Sequence, residues 1–355
     1  MKRLEKVQVS ILPTPLHKLE NISKDLKDFN VFIKRDDMTG FGIGGNKLRK
    51  LDYIVKKAID DGCNTLLTYG GPQTNHGRLT AAAAAKFGMK SIILCYGKPP
   101  KNISGNLLLD RIIGTEVLFM DTEEVRKKAE GKPHDEVVEL YRNLKMSATR
   151  TVVKRYKEQG DKVAIIQIGG HSKEGLMGYF DCVEEIEKQS KEMNVIFDYV
   201  VLGNGSGGTL GGLLLGKKYF KSSFEIFASN ISPIPEEQIT RLLEFCNKTS
   251  KEFEIGVEVS RDDFVYSNEY TGKGYNIPDK ETRDVITYVA SKEGIFIDPC
   301  YTGKSFMGLL GFIKEGRFKK NSNILFIHTG GTPGLWTEEH EAAFNEDLWN
   351  DIEIF

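Results

Sequence analysis

The chain has 355 residues, which is enough for two domains or one large α/β unit with a sizeable buried core. Its 49 Lys and Arg residues almost balance its 50 Asp and Glu residues, and a net charge of −1 gives no electrostatic case for binding nucleic acid or an anionic membrane. The sequence has no apolar run of about 18 residues and no apolar N-terminal stretch of signal-peptide length, so we expect neither a transmembrane helix nor secretion.

The five cysteines are scattered along the chain, and none stands in C-x-x-C spacing. This pattern fits a reducing compartment and argues against a zinc site or a disulfide framework. We therefore expect a cytoplasmic protein without a metal centre.

Strand-like and helix-like segments alternate along most of the chain. The apolar residues keep helical spacing from Leu48 until Gly62. Short apolar β-rich runs joined by helices predict parallel sheets covered on both faces, and hence an α/β fold. In chain order, strands are predicted within 31–36, 65–71, 90–97, 115–120, 162–170, 198–203, 224–230 and 322–331, and further helices within 75–88, 105–114 and 178–192 and in the Gly/Leu-rich stretch after residue 208.

Residues 122–161 interrupt this alternation with a highly charged, helix-compatible stretch that has a turn at "GKPHD". A pair of surface helices is the favoured interpretation, and a lid or an interface is the alternative.

Glycine-rich turns between a strand and a helix form anion sites, because free backbone N–H groups and the helix dipole both point at the ligand. The stretch "GNGSGGTLGG" at 203–212 directly follows an apolar strand. It could be a dinucleotide fingerprint, which would suit an oxidoreductase, but the next strand ends in Ser229 and Asn230 where an acidic residue is expected. Ser206 and Thr209 add hydroxyl groups, which suits a compact monoester phosphate better.

Two further turns follow apolar strands. In "YGGPQTNHGR", Thr74 and Asn75 stand where a helix begins, so they are either ordinary N-caps or donors to a carboxylate ligand. The third turn is "HTGG" at 328–331.

The stretch "FGIGGNKLRKL" at 41–51 delivers Lys47 to the start of a predicted helix, with Lys50 one turn further on the same face. A lysine amine is a useful nucleophile or base only when burial or a nearby positive charge lowers its pKa. The helix start and Lys50 both disfavour the ammonium form of Lys47. Most lysines are solvated surface residues. Together with a phosphate turn and a carboxylate turn, however, Lys47 indicates a lysine-bound aldehyde cofactor with a phosphate tail, which describes pyridoxal 5'-phosphate (PLP).

At these residues the chain resembles the fold-type II PLP enzymes, and within them the D-cysteine desulfhydrase and 1-aminocyclopropane-1-carboxylate (ACC) deaminase branch. The resemblance covers nearly the whole chain in seven ordered blocks. They are "PTPL" at 13–16, "IKRDD" at 33–37, "GGNKLRKL" at 44–51, "GGPQTNHGR" at 70–78, "GSGGTLGG" at 205–212, "DPCYTGKSFMG" at 298–308 and "HTGGTPGL" at 328–335.

The resemblance implies a tryptophan synthase beta-like fold with two domains, each a mostly parallel twisted sheet flanked by helices. We place the large PLP-binding domain at 1–50 plus 166–355 and the small domain at 51–165, with the active site between them. The resemblance also implies a small amino-acid substrate and a homodimer.

The family's functional residues match positions of this chain. Lys47 matches the lysine that binds PLP covalently and then moves the Cα proton. The predicted catalytic group is completed by Thr74, Tyr275 and Tyr301, of which the two tyrosines flank the substrate. Thr74, Asn75 and His76 are predicted to bind the substrate carboxylate, and Asn75 also lies beside the cofactor's phenolic oxygen. The residues predicted to surround the cofactor's phosphate are Gly205, Ser206, Gly207, Gly208 and Thr209. Thr329 is a further predicted cofactor contact.

Two threonines favour desulfhydration within this branch. ACC deaminases typically carry glutamate and leucine at the positions of Thr302 and Thr329. A carboxylate facing the pyridine nitrogen keeps it protonated for ring opening, whereas a threonine leaves it more nearly neutral, which suffices for loss of thiolate. His171 departs from the family, where a smaller residue is common, and either contacts the substrate or fills space.

We therefore expect elimination from D-cysteine to give pyruvate, ammonia and hydrogen sulfide. The alternatives within the class are ACC deamination or a lyase reaction on another β-substituted alanine such as cysteate. Outside it, the alternatives are a non-catalytic PLP-binding protein and the nucleotide-dependent oxidoreductase.

Overall fold

The computed structural model describes residues 4–349, without the side chains of residues 134 and 135. Its strands are β1 Leu16–Lys18, β2 Phe29–Arg35, β3 Thr65–Gly70, β4 Lys90–Tyr96, β5 Glu116–Met120, β6 Val163–Ile165, β7 Tyr199–Asn204, β8 Glu225–Asn230, β9 Phe264–Ser267 and β10 Ser322–His328. Its α-helices are α1 Glu20–Leu26, α2 Lys47–Asp60, α3 Asn75–Lys86, α4 Gly105–Ile113, α5 Glu123–Ala129, α6 His134–Glu158, α7 Lys173–Met193, α8 Gly208–Phe220, α9 Glu236–Glu252, α10 Lys280–Glu293, α11 Thr302–Lys314 and α12 Glu338–Leu348.

The strands form two sheets. The larger has the order β1-β2-β10-β7-β8-β9, and only β1 runs antiparallel to its neighbour. The smaller has the order β5-β4-β3-β6 and is entirely parallel. The predicted α/β class with two mostly parallel sheets is confirmed, and the domain boundaries at residues 50 and 165 stay a prediction.

Helices cover both faces of the larger sheet. Residues of β7, β8 and β10 alternate between two apolar clusters: Val200 and Leu202 point toward α7 and α8, and Val201 points toward α11. Because both faces of these strands are buried, their sequences read as continuous apolar runs.

The predicted strand at 162–170 is shorter than expected. β6 ends at Ile165, and the chain then enters a single 3₁₀ turn at Ile168–Gly170. Gly169 and Gly170 have φ angles of 67° and 66°, a left-handed conformation that an extended strand does not contain. This turn brings the chain back toward α2.

The charged stretch 122–161 contains α5 and α6, as the pattern predicts. The second half of α6 does more than lie on the surface, because Val152 and Tyr156 are buried against Leu67 and Tyr69 of the smaller sheet. The Tyr156 hydroxyl also donates to Glu116 at 2.6 Å. This segment therefore covers one face of the smaller sheet.

A buried ion network fixes the start of α2. Arg49 donates to Asp36, which follows β2, at 2.8 Å, and to Glu185 on α7 at 2.9 Å. All the charges of this group are largely shielded from water, so losing one partner would leave the others uncompensated. The network ties the residues around Lys47 to the larger sheet.

Candidate active site

A cavity of about 310 Å³ lies at the carboxyl ends of strands from both sheets. Open α/β sheets bind ligands at this edge, where loops rather than strands carry the side chains. All of the predicted site residues except Asn75 and Gly208 line it. The lining residues are Asn46, Lys47, Gly70, Gly71, Thr74, His76, Tyr96, Ile168, Gly169, Gly203, Asn204, Gly205, Ser206, Gly207, Thr209, Ile231, Ser232, Tyr275, Tyr301 and Thr329.

Lys47 is the first residue of α2 and is half-buried in the cavity wall. Its Nζ donates to Asn46 Oδ1 at 2.9 Å and lies 5.9 Å from the centre of the Tyr301 ring. Burial lowers the pKa of Lys47 to about 8, Asp298 opposes this shift, and the charge of Arg78 adds to it. The amine is therefore neutral in a substantial fraction of molecules near neutral pH.

The sequence predicted a lowered pKa of Lys47, but from different causes. It named the helix start and Lys50, whereas burial and Arg78 produce the shift. Lys50 is the group that responds to Lys47: burial and then the charge of Lys47 hold the pKa of Lys50 well below its ordinary value.

The Lys50 side chain is only 1% exposed, and its amine donates to the Gly169 carbonyl at 3.2 Å. The same amine would lie 3.0 Å from a Cβ added at Gly208. Gly208 does not line the cavity. Because it has no side chain, it leaves room for the buried Lys50 amine at the start of α8. An amine with one protein acceptor, beside free helix N–H groups, suits a dianionic ligand such as a phosphate.

In the loop before α8, Gly207 has a φ of 80° and so adopts a left-handed conformation that favours glycine. Thr209 is buried, and its hydroxyl accepts a hydrogen bond from Asn46 at 3.0 Å, while Ser206 is exposed to the cavity. The loop is also tied to the neighbouring strand, since Asn204 donates to Asn230 at 2.8 Å. Asn230 is thus used inside the fold, at the position where a dinucleotide fingerprint needs an acidic residue.

The predicted carboxylate turn is the N-terminus of α3. The Thr74 hydroxyl accepts a hydrogen bond from the Gly77 amide at 3.1 Å, so Thr74 is an N-cap as well as a lining residue. Asn75 faces away from the cavity, and its Oδ1 accepts from Asn106 at 3.0 Å. His76 is 3% exposed, lines the cavity, and makes no ring hydrogen bond within residues 4–349.

Tyr275 and Tyr301 meet in the cavity wall, where the Tyr301 hydroxyl donates to that of Tyr275 at 3.3 Å. The carboxylate of Asp298 accepts from the backbone amide of Tyr301 at 3.0 Å and thereby fixes the turn that presents this tyrosine. Lys304 is fully buried, and its amine donates to the carbonyl of Gly274 at 2.6 Å and that of Ile231 at 3.3 Å. Lys304 therefore anchors the loop that carries Tyr275.

Comparison with known proteins agrees with this geometry. Residues 7–330 match the family described as "Pyridoxal-phosphate dependent enzyme". The chain belongs to this PLP-dependent enzyme family. The predicted family and cofactor are thus confirmed.

Individual relatives match along nearly their full length. A 1-aminocyclopropane-1-carboxylate deaminase of Bradyrhizobium diazoefficiens is 32% identical over 346 residues, which is 94% of this chain and 97% of that protein. A protein of Pyrococcus abyssi, provisionally named for the same activity, is 35% identical over 331 residues, or 93% of each chain. A crystal structure described as an ACC deaminase homologue superposes with a TM-score of 0.81 at 33% identity, covering 98% of this chain and 97% of its own.

The residues of the cavity fit PLP. The loop 205–209 would provide N–H groups for its phosphate, the buried Lys50 amine behind this loop would donate to the same phosphate, and Lys47 would provide the amine for its aldehyde. Over the described residues, the ring nitrogens of His76 are buried without a hydrogen bond of ordinary distance and angle, which leaves them available to a polar ligand at this wall.

Thr302 and Thr329 differ in their relation to the cavity. Thr329 lines it. Thr302 is buried beside it, and its hydroxyl is bonded to Asp298 at 2.6 Å.

His171 lies outside the cavity lining. Its ring stacks on Phe245 with 4.6 Å between the ring centres, and its Nδ1 is buried without a partner. Of its two predicted roles, this packing favours the filling of space behind the loop 205–207.

The structure adds Asn46, Lys50, Asp298 and Lys304 to the residues that shape the site. All four stand in two of the blocks that carry the family resemblance, "GGNKLRKL" and "DPCYTGKSFMG". The spacing of residues does not predict their roles. Lys50 and Lys304 act through backbone carbonyls that are distant in sequence, those of residues 169, 231 and 274. Asn46 and Asp298 act within tight turns.

Within the part of the chain that the structure describes, no helix has the length and apolar character needed to cross a membrane. Over the same residues, no group of three His, Cys, Asp or Glu side chains is placed to hold a metal ion. The homodimer and the cytoplasmic location stay predictions.

Proposed function

We propose that this PLP-dependent enzyme catalyses α,β-elimination from D-cysteine, giving pyruvate, ammonia and hydrogen sulfide. The observation that carries the proposal is the composition of the cavity wall: among the described residues that line it, none is a carboxylate. A carboxylate at the pyridine nitrogen would strengthen the electron sink that ring opening requires. Loss of thiolate, a good leaving group, needs a weaker sink.

Bound PLP supplies an aldehyde that condenses with amines and a conjugated ring that accepts electrons from the substrate's Cα. Lys47 would hold the cofactor through its amine, and that amine, when free, would take the proton from the substrate's Cα. Its pKa of about 8 makes the free amine a base matched to neutral pH, and Asn46 orients it. General-base work of this kind contributes about 10²–10⁴-fold to the rate.

The N-terminus of α3 orients the substrate through its carboxylate. Because Thr74 caps only the Gly77 amide, the amides of the first turn remain available to a carboxylate ligand. We assign this contact to Thr74 and His76, which line the cavity. Asn75 acts through Asn106 and Arg78, not by direct contact.

The two tyrosines serve the leaving group. Burial raises the pKa of Tyr301, so its phenol stays protonated, and its hydrogen bond to Tyr275 connects two possible donors. We assign to this pair the stabilisation of the departing thiolate by hydrogen bonds from the phenol hydroxyls.

ACC deamination is the second candidate, and the names of the relatives support it. Proteins at 32% and 35% identity over most of the chain carry that name. Elimination from another β-substituted alanine such as cysteate uses the same groups and is the third.

A substrate panel separates these candidates. Purified enzyme loaded with PLP is incubated with D-cysteine, L-cysteine, ACC or cysteate, and sulfide, ammonia and ketoacid are measured. We expect sulfide and pyruvate from D-cysteine in equal amounts, at a kcat/KM at least tenfold above that for ACC. Formation of 2-oxobutyrate from ACC with no sulfide from D-cysteine would overturn the proposal in favour of ACC deamination.

A further inference from the structure

Arg78 on α3 is a buried cation whose partners are unusual. Its side chain is 1% exposed, yet over residues 4–349 no carboxylate accepts a hydrogen bond from it. Its Nε donates to Asn106 Oδ1 at 2.6 Å, and its other nitrogens donate to carbonyl and amide oxygens. Burial lowers the pKa of Arg78 to about 10, although Asp110 opposes the shift. The buried positive charge of Arg78 is therefore stabilised by carbonyl and amide oxygens, not by a hydrogen-bonded carboxylate among the described residues.

The acceptors of Arg78 belong to two segments that each carry residues of the cavity wall. Its guanidinium donates to the carbonyl of Gly42 and, at 3.3 Å, to that of Gly44. These carbonyls belong to the loop that leads into Lys47. On its own side, Nη2 lies 3.5 Å from Asn75 Oδ1 in the carboxylate turn. One side chain therefore joins the segment that presents the amine to the turn that orients the substrate.

The same guanidinium acts on the Lys47 amine through its charge. Four charged or basic groups act on this amine: Arg78, Lys50 and His76 disfavour or respond to its ammonium form, and Asp298 favours that form. The Tyr301 ring also faces the amine, with its centre 5.9 Å away, but burial raises the pKa of its phenol, which stays uncharged. Arg78, with a pKa of about 10, stays charged near neutral pH, whereas burial shifts Lys50 and His76 toward their neutral forms. Near neutral pH, the positive charge of Arg78 therefore counteracts the effect of Asp298 on the pKa of Lys47.

We propose that Arg78 is a positioning residue that fastens the Lys47 loop to the carboxylate turn and maintains a permanent positive charge beside the Lys47 amine. The inference rests on the proposed role of Lys47 as the amine that holds PLP and moves the Cα proton. Arginine suits this position because its planar fork reaches several carbonyls at once and, even with its pKa lowered to about 10, keeps its proton near neutral pH. Lysine offers the charge alone, and glutamine offers some of the hydrogen bonds alone.

The test measures the Lys47 amine in cofactor-free protein, so it does not depend on any substrate. The rate at which acetic anhydride labels the Lys47 peptide is followed by mass spectrometry from pH 6 to 10 in the wild type and in Arg78→Met, Arg78→Gln and Arg78→Lys. Arg111→Gln is the matched control, because Arg111 is exposed and donates to the Thr115 carbonyl at the far end of α4.

We expect the midpoint of labelling to rise in Arg78→Met and Arg78→Gln and to stay near that of the wild type in Arg78→Lys and Arg111→Gln. A rise of about one pH unit would reduce labelling at pH 8 about fivefold, because the neutral fraction would fall from about one half to about one tenth. In PLP-loaded enzyme, Arg78→Lys should lose at least tenfold in kcat/KM while keeping the midpoint, since it retains the charge but not the fork.

An unchanged midpoint in folded Arg78→Gln or Arg78→Met would overturn the proposal, and so would an equal shift in Arg78→Lys. Arg78→Gln carries the test if the methionine variant does not fold, because its amide can still donate to the loop carbonyls. A wild type that turns over none of the amino acids in the substrate panel would overturn the proposed function without altering these midpoints.

Discussion

Replacing Lys50 by methionine should affect stability and cofactor binding in opposite directions. In cofactor-free protein, the buried Lys50 amine has one acceptor, the Gly169 carbonyl, and burial holds its pKa well below its ordinary value. A buried polar group with unmet hydrogen-bonding capacity costs about 1–3 kcal/mol, so Lys50→Met should raise the free energy of unfolding of the cofactor-free protein by about that amount. Methionine fills similar space without the amine.

With PLP bound, the same amine gains a phosphate partner. A hydrogen bond to a charged group is worth about 1.5–3 kcal/mol, so Lys50→Met should weaken PLP binding by about 10- to 150-fold. Lys57→Met is the matched control, because Lys57 lies on the same helix with an exposed amine paired to Asp61. The control should leave the affinity for PLP unchanged.

The pH dependence supplies an independent check. The folded state keeps Lys50 neutral below its ordinary pKa, while the unfolded chain binds a proton there, so the unfolded state holds more protons. The stability of the cofactor-free wild type should therefore rise with pH up to about 10.4, relative to Lys50→Met, by at most about 1.4 kcal/mol per pH unit. The assays are thermal unfolding between pH 6 and 10 and titration with PLP followed by absorbance. Wild-type affinity in Lys50→Met, together with an unchanged pH slope, would refute the reasoning.

Two further substitutions test the packing and the substrate proposal. Gly212→Ala should destabilise the protein by about 1–3 kcal/mol, because the added Cβ would lie 2.6 Å from Tyr179 Cβ where α7 and α8 touch. The visible spectrum of the PLP-loaded enzyme should not change. A melting temperature equal to that of the wild type would contradict this prediction. The double variant Thr302→Glu/Thr329→Leu should raise the ratio of ACC to D-cysteine turnover at least tenfold, as measured in the substrate panel, and an unchanged ratio would remove the basis for favouring desulfhydration.

Local pattern was enough to predict most of the fold. The apolar spacing after Leu48 predicted α2, and the apolar runs predicted the central strands of both sheets, because buried parallel strands carry few polar residues. The pattern failed at 162–170, where apolar residues continue past Ile165 although the chain leaves the sheet. The two glycines with positive φ belong to the turn that follows the strand, and apolar content alone does not reveal that conformation.

The predicted site was incomplete where side chains meet across long stretches of sequence. Thr74 lines the cavity as the turn pattern indicates, but Asn75 is drawn away by Asn106, which lies on another helix. The lowered pKa of Lys47 was predicted correctly in direction, yet Arg78 contributes to it from a position 31 residues away in "GGPQTNHGR". Such contacts follow from how α3 and α4 pack on the smaller sheet.

The most direct test of the central claim is to find which amine holds PLP. PLP-loaded enzyme is reduced with borohydride, which fixes the bond between cofactor and lysine, and the digested protein is mapped by mass spectrometry. We predict a single PLP adduct on the peptide at Lys47, no adduct at Lys50, and loss of both the adduct and the visible absorbance band in Lys47→Ala. An adduct on another lysine, or an unchanged band in Lys47→Ala, would contradict the account.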